Sequence, residues 1–449
     1  MLNTLVSPQN QLSSSSQGVK KHVKLTEITY QRNVDSDYTE RIEELEKSFS
    51  YAHNANDYWS PPELSTLYGT PLYVEASPSQ QRALNHLYWM RQYSQTAATE
   101  ANAVLYNQVT AGVFASLGGY DTLCQELQLE TEQEYSHIHA FQRIGSKTKR
   151  ALLGRSDLKT ASHGRRTEQI ARGIAPQQPF ESLQESTFRF FTTQMLRPGH
   201  CYSQYLRELD LKGEKLPAQT TGLLGQLAPR SVQQLFTLNC GSSPFLACLF
   251  YVTRYIANLL LKNYEYRYVQ YYRKLEKAGE FIPVPTAVSY YHLLDESFHT
   301  TTSQLIGKEL YKDFSKPTAY EKFVANLTIY RVQKVSLNGL SGGLPAICKH
   351  DAPFMLSFYQ LLQSPLFNLS AQDSLYWLER CLCQEHEGFH INLKYHQRLL
   401  SDLRRFFDGV DYLWAVNREM RLMAAGGSIE QALQNNVKAF KQFSRSMHQ

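Results

Sequence analysis

The stretch His292-Leu293-Leu294-Asp295-Glu296-Ser297-Phe298-His299 sets an imidazole, a carboxylate and a second imidazole at intervals of four and three residues. Residues three or four apart share a helix face, so a helix here presents all three side chains to one point. Glu134-Tyr135-Ser136-His137 repeats the Glu-x-x-His half of the pattern. Two further glutamates stand alone: Glu100 lies 34 residues before Glu134, and Glu265 lies 27 before His292. Each gap suits two antiparallel helices joined by a short loop. Four helices that each give a carboxylate, with imidazoles one turn away, can hold two iron or manganese ions in a bundle.

The residue types suit that task. Carboxylates bridge two cations and balance their charge, and neutral imidazole favours iron over calcium or magnesium. Four carboxylates and three imidazoles leave open positions on two six-coordinate ions, where dioxygen and substrate can approach. Chance yields roughly one Glu-x-x-His in a chain of this length and composition. Three occur, at 134/137, 296/299 and 387/390. Around Glu100 the same face carries Thr96, Ala97, Ala103 and Val104, and a carboxylate there is costly unless paired or bound to metal. Glu387 and His390 read differently. Glu385, His386 and Glu387 are consecutive and fan around a helix, Gly388 weakens it, and no lone glutamate on a preceding apolar helix accompanies them. That pair reads as polar helix surface or packing against the bundle, with a second metal site as the alternative. Tyr264, Tyr266, Tyr268, Tyr271 and Tyr272 flank Glu265. They read as bundle packing around a pocket, with a redox-active phenol near the metals as the alternative.

The pattern extends outward as helices. Residues 1–36 are polar and predict a disordered tail. A helix is expected over 38–53. From Ser77-Pro78, a proline at a first-turn position, helical sequence carrying Glu100 runs to about 117. The next helix, 120–144, carries Glu134 and His137 and is expected to stop at Gly145. After a mixed insert at 146–238 come helices at 244–279 with Glu265 and 286–311 with the triplet. Further helices are expected at 319–336, 354–363, 370–407 and 411–447. The reading is all-α: a metal-binding four-helix core over 37–315 and a helical extension over 316–449 packed on it. Within the insert, Lys147, Lys149, Arg150, Arg155, Lys159, Arg165, Arg166 and Arg172 face only Asp157 and Glu168. This stretch reads as a solvated connector, or functionally as a landing patch for an acidic partner.

Composition bounds the rest. The 449 residues are 42% hydrophobic, with 29 Tyr and 22 Phe, enough for a large helical core or an apolar substrate tunnel. A net charge of +5 is too weak to indicate nucleic acid. The seven cysteines contain no CxxC, which argues against zinc ribbons and thioredoxin-like motifs. No signal peptide is evident. The apolar window 245–261 is interrupted by Arg254 and falls short of a membrane span. The expectation is a cytoplasmic protein with free thiols. A homodimer is left open.

Taken in order, Glu, Glu-x-x-His, Glu and His-x-x-x-Glu-x-x-His at these spacings resemble the p-aminobenzoate N-oxygenase family of ferritin-like di-iron proteins. All seven positions of that ligand set are matched, over about residues 75–312. The resemblance implies a ferritin-like bundle in which Glu100, Glu134 and His137 serve one half of a di-metal site, and Glu265, His292, Glu296 and His299 the other. The long segment between His137 and Glu265 and the extension after 315 depart from that pattern. Both are similar to the cyanobacterial dimetal-carboxylate halogenases of the cylindrocyclophane-pathway type. That resemblance implies chlorination of an unactivated carbon on a fatty acyl chain held by an acyl carrier protein. Its cofactors would be two Fe ions (or Mn), with dioxygen and halide as co-substrates and an external electron donor, a protein or small reductant. A di-iron oxygenase on the same scaffold (hydroxylase, desaturase or arylamine N-oxygenase) carries the same ligands and remains the alternative. A non-catalytic metal-binding helical protein is the second alternative, and the chain's length argues against it.

Overall fold

The computed structural model describes residues 20–65, 67–154, 181–196, 202–214, 216, 230–340 and 352–447. The described residues contain helices and no strand, so the protein is all-α. Its helices in chain order are α1 (Lys21–Asp35), α2 (Thr39–Ser48), α3 (Pro78–Leu117), α4 (Asp121–Leu153), α5 (Glu181–Met195), α6 (Gln204–Leu211), α7 (Arg230–Ser242), α8 (Pro244–Ala278), α9 (Val284–Lys308), α10 (Ala319–Val332), α11 (Ala352–Gln363), α12 (Ala371–Cys383), α13 (Glu387–Phe407) and α14 (Ile429–Met447), with single-turn helices between some of them.

The four longest of these helices form the bundle, and local chemistry sets their ends. Ser77 caps α3 in a reciprocal capping box with Gln80, Pro78 opens the first turn, and Gly118 ends the helix at φ +72°. Ser243 caps α8 ahead of Pro244, and Gly279 closes it in the left-handed conformation. The pairing is antiparallel. Cys124 of α4 meets Ala111 of α3, while Gly145 lies beside Met90. Across α8 and α9, Gly307 packs on Val252 and the Tyr272 ring stacks on Tyr290. Between the hairpins, Thr110 bonds Tyr251 and Tyr93 bonds Glu265, while Thr302 bonds Glu126 and His137 pairs with Asp295.

Two apolar clusters fill the bundle. One gathers Trp89, Tyr93, Ala97, Phe141, Ile144, Tyr264, Tyr268 and Val288. The other gathers Ala103, Phe114, Leu127, Tyr251, Ile256 and Ile306. Between them, at mid-height of all four helices, lies a seam of buried polar side chains. This is where Glu100, Glu134, His137, Glu265, His292, Glu296 and His299 sit. α8 is long and apolar enough to cross a membrane, but 67% of its most apolar window is buried inside the protein, as in a core helix.

Several local expectations are corrected. Residues 21–35, expected to be part of a disordered tail, form α1, which packs on α4 and α9. The polar sequence hid this because the contact that docks α1 is itself polar: buried Asn33 donates to Glu126 and accepts from Gln133. Residues 1–19 lie outside the described residues. α4 does not stop at Gly145 but runs to Leu153, since Gly145 is buried against α3 and tertiary packing outweighs its weak helix propensity. The expected helix over 370–407 is two helices, because His386 is extended and its Nδ1 accepts from Gly388 N to cap α13. Beyond 316, α10 and α13 pack against α8, and α11 packs against α4. Cys124, Cys240, Cys248, Cys381 and Cys383 are free thiols.

Candidate metal centre

The seven side chains singled out by spacing converge in the seam. His137, Glu265, His292 and His299 are 0% exposed, and Glu134, Glu296 and Glu100 are 2%, 4% and 6% exposed. Ligand atoms from Glu100, His137, His292 and Glu296 all lie within 4.8 Å of one another, and so do those of Glu134, Glu296 and His299. Glu296 belongs to both groups. Glu265 belongs to neither. Its Oε1 lies 2.7 Å from His292 Nδ1, while His292 Nε2 faces Glu100 at 2.9 Å. Six of the seven therefore meet directly, and the seventh grips an imidazole from behind.

Each imidazole is held at its far nitrogen. His137 Nε2 pairs with Asp295 Oδ2 at 3.2 Å, which leaves Nδ1 turned towards Glu134. His299 Nε2 pairs with Gln133 Oε1 at 2.9 Å, and its Nδ1 lies 2.8 Å from Glu296 Oε1 and 3.4 Å from Glu134 Oε1. Such outer partners set the ring orientation and raise ligand basicity. Asp295→Asn is accordingly expected to weaken metal binding about 10–100-fold while leaving the helices intact. Competitive chelator titration checks this, and an unchanged affinity would remove Asp295 from that role.

The orphaned atoms test whether a metal fits. His137 Nδ1, Glu100 Oε2, Glu134 Oε2 and Glu265 Oε2 are buried without a hydrogen-bond partner. Leaving such an atom unpaired costs about 1–3 kcal/mol, and more when it is charged. Gathered in one seam, these lone pairs are what cations would satisfy. A set of carboxylate oxygen and imidazole nitrogen suits iron or manganese.

The electrostatics agree. Burial and the Glu134 charge push Glu100 up to about 7, against the pull of His292 and His137. Burial works against the charged form of Glu134, but the neighbouring His137 and His299 imidazoles, with the Arg254 charge, hold its carboxyl well below the usual range. Burial and His292 oppose charging of His137, yet Asp295, Glu134 and Glu100 lift it to about 9. His292 and His299 are likewise raised against burial, chiefly by Glu265 and Glu100 for the first and by Glu296 and Glu130 for the second. The acid surroundings thus favour protonation of these imidazoles, and any proton held there is one an incoming cation must displace.

Spacing did not reveal Arg254, the residue that interrupts the apolar run of α8. It is 5% exposed and pairs with both Glu130 and Glu134. Glu126, Glu130, Glu134 and His137 lie at i, i+4, i+8 and i+11 along one buried face of α4, a row of acids that could have been noticed. Burial and Glu130 push Glu126 up to about 7. Tyr93, which donates to Glu265 Oε1 at 2.7 Å, lies far from the tyrosine run in sequence. Within the run, Tyr264, Tyr268 and Tyr272 are buried and Tyr266 is exposed.

The remaining candidates lie elsewhere. His390 pairs with Glu385 at 3.0 Å on the surface, with both side chains more than half exposed, away from the seam. Lys147, Lys149 and Arg150 fall on the last turns of α4. Lys147 donates to Phe49 O at 2.9 Å, and Lys149 and Arg150 are exposed. Arg155, Arg165 and Arg166 lie outside the described residues.

Comparison with known proteins adds the family. No curated protein matches the chain, and no solved structure does. A family model described as acyl halogenase CylC-like matches residues 21–444, a span that takes in α1, the whole bundle with its buried ligand cluster, and nearly all of the extension. The chain therefore belongs to the CylC-like acyl halogenase family.

Proposed function

We propose that Glu100, Glu134, His137, Glu265, His292, Glu296 and His299 hold two iron ions, and that the enzyme uses dioxygen to halogenate an unactivated aliphatic carbon of a fatty acyl chain on an acyl carrier protein. Family membership makes the chain an enzyme and supports a halogenase. The observation that supports the di-iron reading is that three partnerless atoms, on Glu100, Glu134 and His137, fall within two overlapping groups of ligand-type side chains that share Glu296, with a fourth on Glu265 beside them. Manganese would satisfy the same ligands.

Iron held there supplies reductive activation of dioxygen and the removal of a hydrogen atom from a carbon that has no acidic proton. The chain's own residues do the rest. Glu296, the side chain common to both groups, would be available to either ion. Asp295 and Gln133 lock His137 and His299 with Nδ1 inward. Arg254 balances part of the acid excess around Glu134 and Glu130. The apolar clusters above and below the seam exclude water from a reactive site. Halide is the co-substrate, and an external donor supplies electrons.

The decisive experiment loads purified protein with ferrous iron and supplies a medium-chain acyl carrier protein, chloride, a reductant and air. A chlorinated acyl chain, recognised by its isotope pattern, is expected. A hydroxylated or desaturated chain with chloride present would overturn halogenation in favour of an oxygenase, and failure to bind iron would overturn the site. For the carrier, the basic stretch of residues 147–172 is the proposed contact. Charge reversal at Arg165 and Arg166 to Glu is expected to raise the KM for carrier-bound substrate about tenfold and leave iron content unchanged. An unchanged KM would make the stretch an ordinary connector.

A further inference from the structure

Tyr93, Trp89, Trp59 and Tyr51 form an unbroken line of oxidisable rings leading away from the metal centre. It begins at Tyr93, whose hydroxyl donates to Glu265 Oε1 at 2.7 Å. The Tyr93 and Trp89 ring centroids are 4.5 Å apart, those of Trp89 and Trp59 5.7 Å, and those of Trp59 and Tyr51 6.0 Å. Trp59, Trp89 and Tyr93 are 0% exposed, whereas Tyr51 is half-buried and reaches the surface. Phenylalanine would pack this core as well, and Phe49 and Phe141 do so beside the line. The line itself contains none.

Each member also has a polar partner that can hold developing charge. Trp89 Nε1 donates to Ser289 Oγ at 3.0 Å, and Trp59 Nε1 donates to Asn54 O at 2.9 Å. At the outer end the Tyr51 hydroxyl lies 3.1 Å from His86 Nδ1. His86 Nε2 lies 2.8 Å from the Asp57 carbonyl, which can only accept. That contact places the ring proton on Nε2 and leaves Nδ1 as the acceptor for Tyr51.

We infer that this line is an electron-transfer route joining the metal centre to the surface, and that it discharges the oxidised centre when no acyl substrate is present. The inference rests on the di-iron reading above. One electron leaves Tyr51 as its O–H bond breaks, and the proton forms a new N–H bond at His86 Nδ1. Trp59, Trp89 and Tyr93 each pass one electron inward and are restored by the next ring, so the centre beyond Glu265 is reduced by one electron. Tyr93 keeps its proton within the hydrogen bond to Glu265. A one-electron donor of the thiol or ascorbate class reduces the Tyr51 radical at the surface, and His86 returns the proton.

The test exposes the iron-loaded protein to air without acyl substrate. Three readouts are taken: iron per chain, the radical seen by freeze-quench electron paramagnetic resonance, and a mass-spectrometric map of oxidised residues. A tyrosyl radical and oxidation centred on Tyr51 are expected. In Trp59→Phe oxidation at Tyr51 should fall at least severalfold, and in both Tyr51→Phe and Trp59→Phe oxidation should move inward to Trp89, Tyr93 and the side chains around Glu265, changing the line shape of the radical, with iron content unchanged. Tyr51→Phe removes one hydroxyl from a half-buried ring, so it decides the matter even if Trp59→Phe does not fold. Full iron uptake with the same radical and the same map in the variants would overturn the route alone. Failure of the wild-type protein to take up iron would overturn the di-iron reading and the route together.

Discussion

His299→Ala is expected to release iron and abolish halogenation while helical content stays at the wild-type level. His299 Nδ1 lies 2.8 Å from Glu296 and 3.4 Å from Glu134, so it belongs to the group that shares Glu296 with the other cluster of ligand-type side chains. Substituting outer partners of metal ligands typically costs 10–100-fold in affinity, so loss of an inner imidazole should exceed about 100-fold. The fold should survive because the ligand seam lies between two apolar clusters that the substitution does not touch. Deleting this imidazole also strips Glu296 and Glu134 of a partner that favours their charged forms, which makes the remaining site a poorer match for a second ion. Elemental analysis of iron per chain, with circular dichroism on the same sample, checks the prediction. Retention of two irons would remove His299 from the site. Glu134→Ala should behave alike, with the added effect that Arg254 loses one of its two carboxylate partners.

The second large effect belongs to Arg254. Its guanidinium is 5% exposed and spans Glu130 and Glu134. Arg254→Met keeps much of the volume and removes the charge, leaving two buried carboxylates facing one another without a cation between them. Breaking a buried ion pair by deleting one partner costs about 3–5 kcal/mol, and urea denaturation of the metal-free protein should show a loss of that size. Because Glu130 carries part of the stranded charge, adding Glu130→Gln should restore part of the loss, a departure from additivity expected for groups in one network. Iron-loaded Arg254→Met should lose less, since cations then balance Glu134. A loss below about 1 kcal/mol in the metal-free protein would mean that the acid cluster is neutralised by other means.

The clustering of these side chains was legible because its logic is local. His292, Glu296 and His299 share a face through helix periodicity alone, and so do Glu134 and His137. The lone positions of Glu100 and Glu265 fit two hairpins because antiparallel helices of that length bring mid-helix residues level. Helix ends were legible where a proline or glycine announced them, at Pro78 and Gly118, and at Pro244 and Gly279. They were not legible where packing overrode propensity, as at Gly145, or where a loop side chain made its own cap, as at His386.

What the sequence determined by itself was an all-α chain with seven ligand-type side chains aimed into one bundle. The tertiary structure decided which of them meet: that Glu296 belongs to both ligand groups, and that Glu265 reaches His292 from behind. It also decided that α1 is tied to the bundle by Asn33, and that Asp295, Gln133, Arg254 and Tyr93 surround the buried cluster. Spacing along one helix follows from the pitch of the backbone. A pairing between helices depends on how those helices approach and rotate against each other, and that is settled only when the whole core packs.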